Sequence, residues 1–442
     1  MTTESVAVMG VDETCRYLGE LYERLAELPC KPGRSPVQQA FAETLLADGH
    51  QARERLLAGH VGQIYADITD DYWNSLRVGD LVAAAARRHP GLLPTAEHLA
   101  VEAARPQKDK DGLEIDLGIF LAHVLGDRRA GNHLVHAMSQ PRREALELLD
   151  TLRRSDFVDL GLASVRRVGA VGHVETNNHR VLNAEDNAST AALEIAVDLV
   201  LLDDRIEIGV LRGAPAAHPK WRGRRIFGAG INLTDLYHGR ISLVDFFVDR
   251  ELGAVSKIYR GHGVGGTGER DLEIGHEKPW IGALEGFAIG GGCQFLLVLD
   301  WIVAEAGSYF QLPAGKEGIV PGCGPMRIGR FLGDGLARQA VFENRIFPVD
   351  SEEGRLLVHE VAPAEEMDAA IDHAAATLLD SGVRSLTANR RAMRVGVEPL
   401  DVFRRYMAQY ARDQAYCAHS PALVANLERN WNANNRTRRT AS

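Results

Sequence analysis

Two glycine-rich segments, about sixty residues apart, carry most of the chemistry that this chain can do. The later one is an apolar run, Trp-Ile-Gly-Ala-Leu-Glu-Gly-Phe-Ala-Ile over 280–289, followed by Gly290, Gly291 and Gly292 and then Cys293-Gln-Phe-Leu-Leu. That pattern predicts a buried strand over 280–289, a glycine turn, and a helix starting at Cys293. Such a turn leaves backbone N–H groups bare at a helix N-terminus, where they suit a developing negative charge. Glycine also lets a ligand approach the backbone closely. The earlier segment, Arg225-Ile-Phe-Gly-Ala-Gly-Ile-Asn-Leu233, is a second short apolar run ending in glycines. Taken alone, either segment reads equally well as a tight turn with no ligand.

Together with the later Gly318-Ile-Val-Pro-Gly322, the two segments resemble the crotonase (enoyl-CoA hydratase/isomerase) superfamily. The resemblance implies that the backbone N–H groups of Ile231 and Gly291 point at a thioester oxygen. It also shows where this chain departs from the hydratases. They carry one catalytic Glu three residues after the middle glycine, where this chain has Gln294, and a second after the Pro of a Phe-x-x-Pro segment, where it has Ala314. A carboxylate pair is what adds water across a double bond, so hydration is not expected. Glu317 is nearby but offset along the chain. What remains is an oxyanion site able to hold a thioester enolate, with no base singled out by the sequence.

Within the superfamily, Gln294, Ala314, the Gly-Ile-Val-Pro-Gly segment and long helical termini resemble a branch that consumes O2. That implies an arylacetyl-CoA and O2 as substrates, with no metal and no organic cofactor. On this reading Gln294, Glu185 and Arg250 recognise polar groups on the aryl ring, and Ile319, Val320 and Pro321 form a dry wall for O2. Lys220, Arg222 and Arg224, with Arg225 beside them, hold CoA phosphates by charge-assisted hydrogen bonds. Plainer readings stand beside these. Glu185 is a surface loop acid, Arg250 a surface helix charge paired with Asp249 or Glu251, the apolar trio ordinary core, and the basic cluster a solvated loop. The alternatives for function are a thioesterase, isomerase or decarboxylase acting on another arylacyl-CoA, or a catalytically silent CoA-binding protein. The superfamily implies a homo-oligomer, a trimer or dimer of trimers.

The rest of the composition narrows the classes. The chain has 442 residues, 45% hydrophobic and 25% charged, with a net charge of -10. That is a folded protein of more than one domain, for which nucleic acid is not an expected partner. Its five cysteines form no Cys-x-x-Cys pair, which suggests reduced thiols in a cytoplasm. No secretory signal pattern opens the chain, and Asp300 interrupts the longest apolar run, so no membrane partner is expected. Among 16 histidines, the pairings His133 with His136, His276 with Glu277, and Asp235 with His238 are too unspecific to predict a metal site. Gly261-His-Gly-Val-Gly-Gly266 matches a dinucleotide fingerprint, but it follows a predicted helix, so a loop is expected there.

The elements that must position these residues follow from periodicity. Residues 1–160 predict a helical N-terminal domain, with helices over 11–28, 36–66, 72–88, 95–104, 119–125 and 141–154. Strands are expected over 163–176 and 205–211. Asp186 or Asn187 caps a helix over 188–202, and another helix covers 244–259. Residues 161–380 form the CoA-thioester domain and 381–442 a helical C-terminal extension, with helices over 386–393 and 402–430. The expected fold is α/β, a crotonase ββα spiral between helical ends.

Overall fold

Residues 10–265 and 275–433 are described by a computed structural model; Gly266 of the glycine fingerprint lies outside them. Seven helices come first: α1 (Val11–Ala26), α2 (Pro36–Ile68), α3 (Val78–Arg88), α4 (Ala96–Ala103), α5 (Glu114–Gly126), α6 (Arg128–Ser139) and α7 (Arg143–Ser155). Local chemistry explains their starts. Ser35 and Gln38 form a reciprocal capping box with Pro36 in the first turn of α2, and Thr95 caps α4 in the same manner. The helix expected from Tyr72 begins only at Val78. Asp70, Asp71 and Tyr72 take φ of 48°, 53° and 67°, a left-handed run that ends α2 and delays the next helix.

The α/β core follows. Strands β1 (Phe157–Asp159), β2 (Ala163–Val168) and β3 (Val171–Thr176) lead into α8 (Asn187–Leu202), which Asp186 caps through the Ser189 N–H. Then come β4 (Ile208–Gly213), α9 (Leu233–Tyr237) and α10 (Ser256–Arg260). The helix expected over 244–259 is wound as π-helix at Leu243–Val248 and Glu251–Val255 before it tightens into α10. The single strand expected over 280–289 is two: β5 (Trp280–Leu284) and β6 (Phe287–Ile289), in different sheets, split at Glu285 and Gly286. After α11 (Gly291–Leu296) come β7 (Trp301–Glu305), β8 (Tyr309–Gln311), α12 (Ala314–Glu317), α13 (Gly324–Glu343), β9 (Ile346–Pro348), β10 (Glu360–Ala362) and α14 (Met367–Asp380).

Seven strands form one sheet in the order β1-β2-β3-β4-β5-β7-β10, antiparallel at β1/β2 and β2/β3 and parallel beyond. Three form the other, β6-β8-β9. From β5 to β8 the chain passes back and forth between the two sheets, as expected of the ββα spiral. The large sheet is buried on both faces, as parallel sheets are. Leu211 and Val174 pack with Leu193, Val197 and Val200 of α8, while Ile208, Val210 and Ile281 pack with Met367, Ile371 and Ala374 of α14.

The chain ends in α15 (Val383–Val397), α16 (Leu400–Ala418) and α17 (Pro421–Trp431). The continuous helix expected over 402–430 is broken at Ser420, which caps α17 with Pro421 in its first turn. One apolar cluster joins Phe120 and Val124 of α5, Phe246 and Phe247 of the π-helical segment, and Phe403, Met407 and Tyr410 of α16. Buried charges tie the C-terminal helices down. Glu398 accepts from Arg260, Arg327 and Arg330, and Glu277 from Arg390 and Arg394.

Candidate active site

The two glycine segments lie against each other, with the loop before α8 alongside. Ile289 N–H donates to the Gly228 carbonyl at 2.9 Å, and Gly228 N–H to the Phe287 carbonyl at 3.2 Å. Glu185 N–H donates to the Gly230 carbonyl at 2.7 Å, and Asn232 N–H to the Glu185 carbonyl at 2.8 Å. These bonds pass over Ile231 and Gly291, whose N–H groups take no part in them. Gly230 and Gly290 have φ of 77° and 53°. A β-carbon on Gly230 would stand 2.8 Å from the Ile289 carbonyl oxygen and 3.3 Å from the Gly291 nitrogen. Glycine is therefore required there both by conformation and by the closeness of the second turn.

A cavity opens beside these turns. Ile231, Gly290 and Gly291 line one side of it, and Glu185, Arg250 and Gln294 another. Ile319, Val320 and Pro321 close it with Phe246, Phe247 and Tyr410. The structure thus brings together Ile231, Gly291, Gln294, Glu185, Arg250, Ile319 and Pro321, which lie far apart in sequence.

Arg250 organises the polar side. It is 3% exposed, so the surface-charge reading does not hold. Its Nε donates to Glu185 Oε2 at 2.5 Å, and its Nη1 to Glu251 Oε1 at 2.6 Å and Gln294 Oε1 at 2.9 Å. Its Nη2 donates to the Gly291 carbonyl at 2.9 Å, and the guanidinium lies 4.4 Å from the centre of the Phe295 ring. Burial works against the guanidinium charge, but Glu185 and Glu251 outweigh it and hold Arg250 protonated. Gln294 keeps its place through its neutral amide, accepting from Arg250 where a carboxylate would add a third negative charge.

Glu251 was legible as a partner of Arg250; other groups in the cavity were not. Glu251 also accepts from Cys323 N–H at 3.2 Å. Tyr410 comes from α16 in the C-terminal extension, and burial first, then Glu251, pushes its phenol well above the usual range. Glu317, at the end of α12, has its carboxyl pushed up to about 8 by burial alone. Its nearness to the position of the hydratases' second Glu could be read from the sequence; its isolation could not. Cys293, under the second turn, is pushed up by burial to about 12, so it remains a thiol.

The basic residues lie elsewhere. Lys220, Arg222 and Arg224 sit on an exposed loop closed by the Ala216 N–H bond to the Arg224 carbonyl, 2.8 Å. Lys220 and Arg224 flank the Trp221 ring at 5.2 Å and 5.3 Å, and Arg224 pairs with Glu305 at 2.9 Å. Arg225 is turned away onto Glu175. Among the described residues no group of three or more His, Cys, Asp or Glu side chains is placed to hold a metal ion. Nor is any described helix long and apolar enough to cross a membrane.

The profile of the family described as enoyl-CoA hydratase/isomerase matches residues 272–420. A protein of Amycolatopsis orientalis named (3,5-dihydroxyphenyl)acetyl-CoA 1,2-dioxygenase is 43% identical over 97% of this chain and 98% of its own length. A crotonyl-CoA hydratase of Syntrophomonas wolfei is 26% identical over 50% of this chain and 77% of its own. Among solved structures, an enoyl-CoA hydratase from Bacillus halodurans superposes with a TM-score of 0.51 at 17% identity, covering 61% of this chain and all of that one. This chain belongs to the enoyl-CoA hydratase/isomerase family and has its fold. The named hydratase matches half of this chain, whereas the named dioxygenase matches nearly all of it.

Proposed function

We propose that this chain is a dioxygenase that converts 3,5-dihydroxyphenylacetyl-CoA and O2 to 3,5-dihydroxyphenylglyoxylate and CoA, with no metal or organic cofactor. The observation that carries this reading is the match to the Amycolatopsis dioxygenase along essentially the whole chain, helical ends included. The site supports it chemically. The thioester oxygen lies between the N–H groups of Ile231 and Gly291, where an enolate is stabilised as its charge develops. Glu185, Arg250 and Gln294 form a polar wall for the two ring hydroxyls. Ile319, Val320 and Pro321 supply apolar surface where O2 meets the α-carbon. The enolate gives electrons to O2, and the peroxide formed at the α-carbon attacks the thioester carbonyl and expels CoA as its thiolate. Loss of the second α-proton and cleavage of the O–O bond then leave the keto acid. Lys220, Arg222 and Arg224 hold the CoA phosphates at the exposed loop. The active form is a homo-oligomer in the cytoplasm, of the trimeric kind the superfamily uses.

The test is to incubate chelator-treated enzyme with 3,5-dihydroxyphenylacetyl-CoA and follow O2 uptake and free thiol together. Equal amounts of each are expected. Thiol release without O2 uptake points instead to a thioesterase, and activity lost to chelation and restored by iron overturns the cofactor-free reading.

A further inference from the structure

Three carboxylates line the cavity, and two are already committed. Glu185 and Glu251 both accept from Arg250, at 2.5 Å and 2.6 Å, and Glu251 also holds the Cys323 N–H. Glu317 is different. Its carboxyl makes no hydrogen bond or ion pair among the described residues, yet it lines the same cavity. It stands on the side of the second glycine turn, with Oε1 4.0 Å from where a β-carbon on Gly290 would be. Gly290 immediately precedes Gly291, whose N–H faces the thioester oxygen in the function proposed above. The substrate α-carbon is bonded to the carbonyl carbon held at that N–H, so it falls within short reach of this carboxyl.

From this arrangement we infer that Glu317 is the base that removes the substrate α-proton. The inference rests on the thioester seat at Ile231 and Gly291 proposed above. In the step, the Glu317 carboxylate forms an O–H bond as the α-C–H bond breaks. The electron pair of that bond becomes the enolate, its charge on the oxygen between the two N–H groups. The proton then passes from the Glu317 carboxyl to the expelled CoA thiolate, giving CoA–SH and restoring the carboxylate. The family's hydratases place their carboxylates at the positions here held by Gln294 and Ala314. In this chain the base comes instead from the far end of α12.

The surroundings make Glu317 suited to the work. Of the charged and titratable groups around it, Glu185, Arg250, Glu251 and Tyr410 share the cavity without bonding to it. Lys316, on its own helix, is exposed. From α17 the near side chain is Asn426, and Glu428 and Arg429 are exposed. On α13, Arg327 and Arg330 are turned onto Glu398, and Glu343 is exposed. With no cation bonded to it and burial against its charge, the carboxylate holds a proton more firmly than an ordinary one, which strengthens it as a base near neutral pH.

The experiment follows exchange of the α-protons of 3,5-dihydroxyphenylacetyl-CoA with deuterated solvent under anaerobic conditions, so that O2 chemistry does not enter. The parent should exchange them at a rate that rises with pH through about 8. Glu317→Gln should bind the thioester within about threefold of the parent and lose exchange by roughly 10²-fold or more, and the pH dependence with it. Glu317→Asp, which keeps the charge on a shorter arm, should retain an intermediate rate and the rise with pH. Exchange at the parent rate in Glu317→Gln overturns the assignment, as does equal loss in the Gln and Asp variants. A parent that exchanges but takes up no O2 in air, beside a Gln variant that does not exchange, supports Glu317 and overturns the dioxygenase reading alone.

Discussion

Glu194, in the seam between the N-terminal helices and the spiral, and Glu317, at the cavity, are both buried carboxyls, and they titrate in opposite directions. Burial pushes both up. At Glu194, Lys257, Arg77 and Arg142 together overcome burial and hold the carboxyl well below its ordinary range. Lys257 and Arg77 each approach it to 2.8 Å, and Asp198 and Asp249 complete a network of three cations and three anions. At Glu317 nothing opposes burial, and the carboxyl rises to about 8. A buried acid inside a balanced network fixes geometry; one left without a partner is held ready to exchange a proton.

Removing the network's anion should have the largest effect. Glu194→Gln leaves buried Lys257 and half-buried Arg77 and Arg142 facing two carboxylates and should cost about 3 kcal/mol of stability in urea unfolding. A change under about 1 kcal/mol would show that the seam does not depend on this charge. The next effect falls on the reaction. Ile231→Pro deletes one N–H and should slow turnover by roughly two or more orders of magnitude, about 3 kcal/mol. A folded Pro variant with near-normal turnover would remove Ile231 from the donor pair.

Gln294→Glu blurs the contrast by adding a third carboxylate around Arg250. We expect the thioester to bind and O2 uptake to fall at least thirtyfold, about 2 kcal/mol. α-Proton exchange should persist, because the carboxylate disfavours enolate build-up and its acid form returns the proton. O2 uptake at the parent rate would make position 294 incidental. The last effect is on stability at the lone acid. Because the folded form of Glu317 holds its proton to about 8, against an ordinary 4.5, the unfolded chain ionises first as pH rises. Folding stability therefore falls between those values. Glu317→Gln should match the parent below pH 4.5 and be the more stable of the two above pH 8. Equal stability at both pH values would mean that the carboxyl is not strained by burial.

Several parts of this site could be read along the chain because their physics is local. Gly230 and Gly290 adopt backbone conformations that other residues resist, so the turns announce themselves. Asp186 caps α8 through its own neighbours, and Gln294 and Ala314 declare by their type that no hydratase carboxylate is present. The split of 280–289 into two sheets was not readable, since a continuous apolar run fits one buried strand or two equally well. Tyr410 carries no local sign that it reaches a cavity built largely from residues more than a hundred positions earlier.

The sequence by itself determined the glycine turns, the missing acid–base pair and the alternation of strand and helix that makes the spiral. Only the tertiary structure decided which charges meet. Arg250 took Glu185, Glu251 and Gln294, the seam took Glu194, and Glu317 was left without a partner. A side chain's charge is written in its own residue type. The energy of that charge depends on water excluded and counter-charges supplied by segments distant in the chain, and folding alone brings those together.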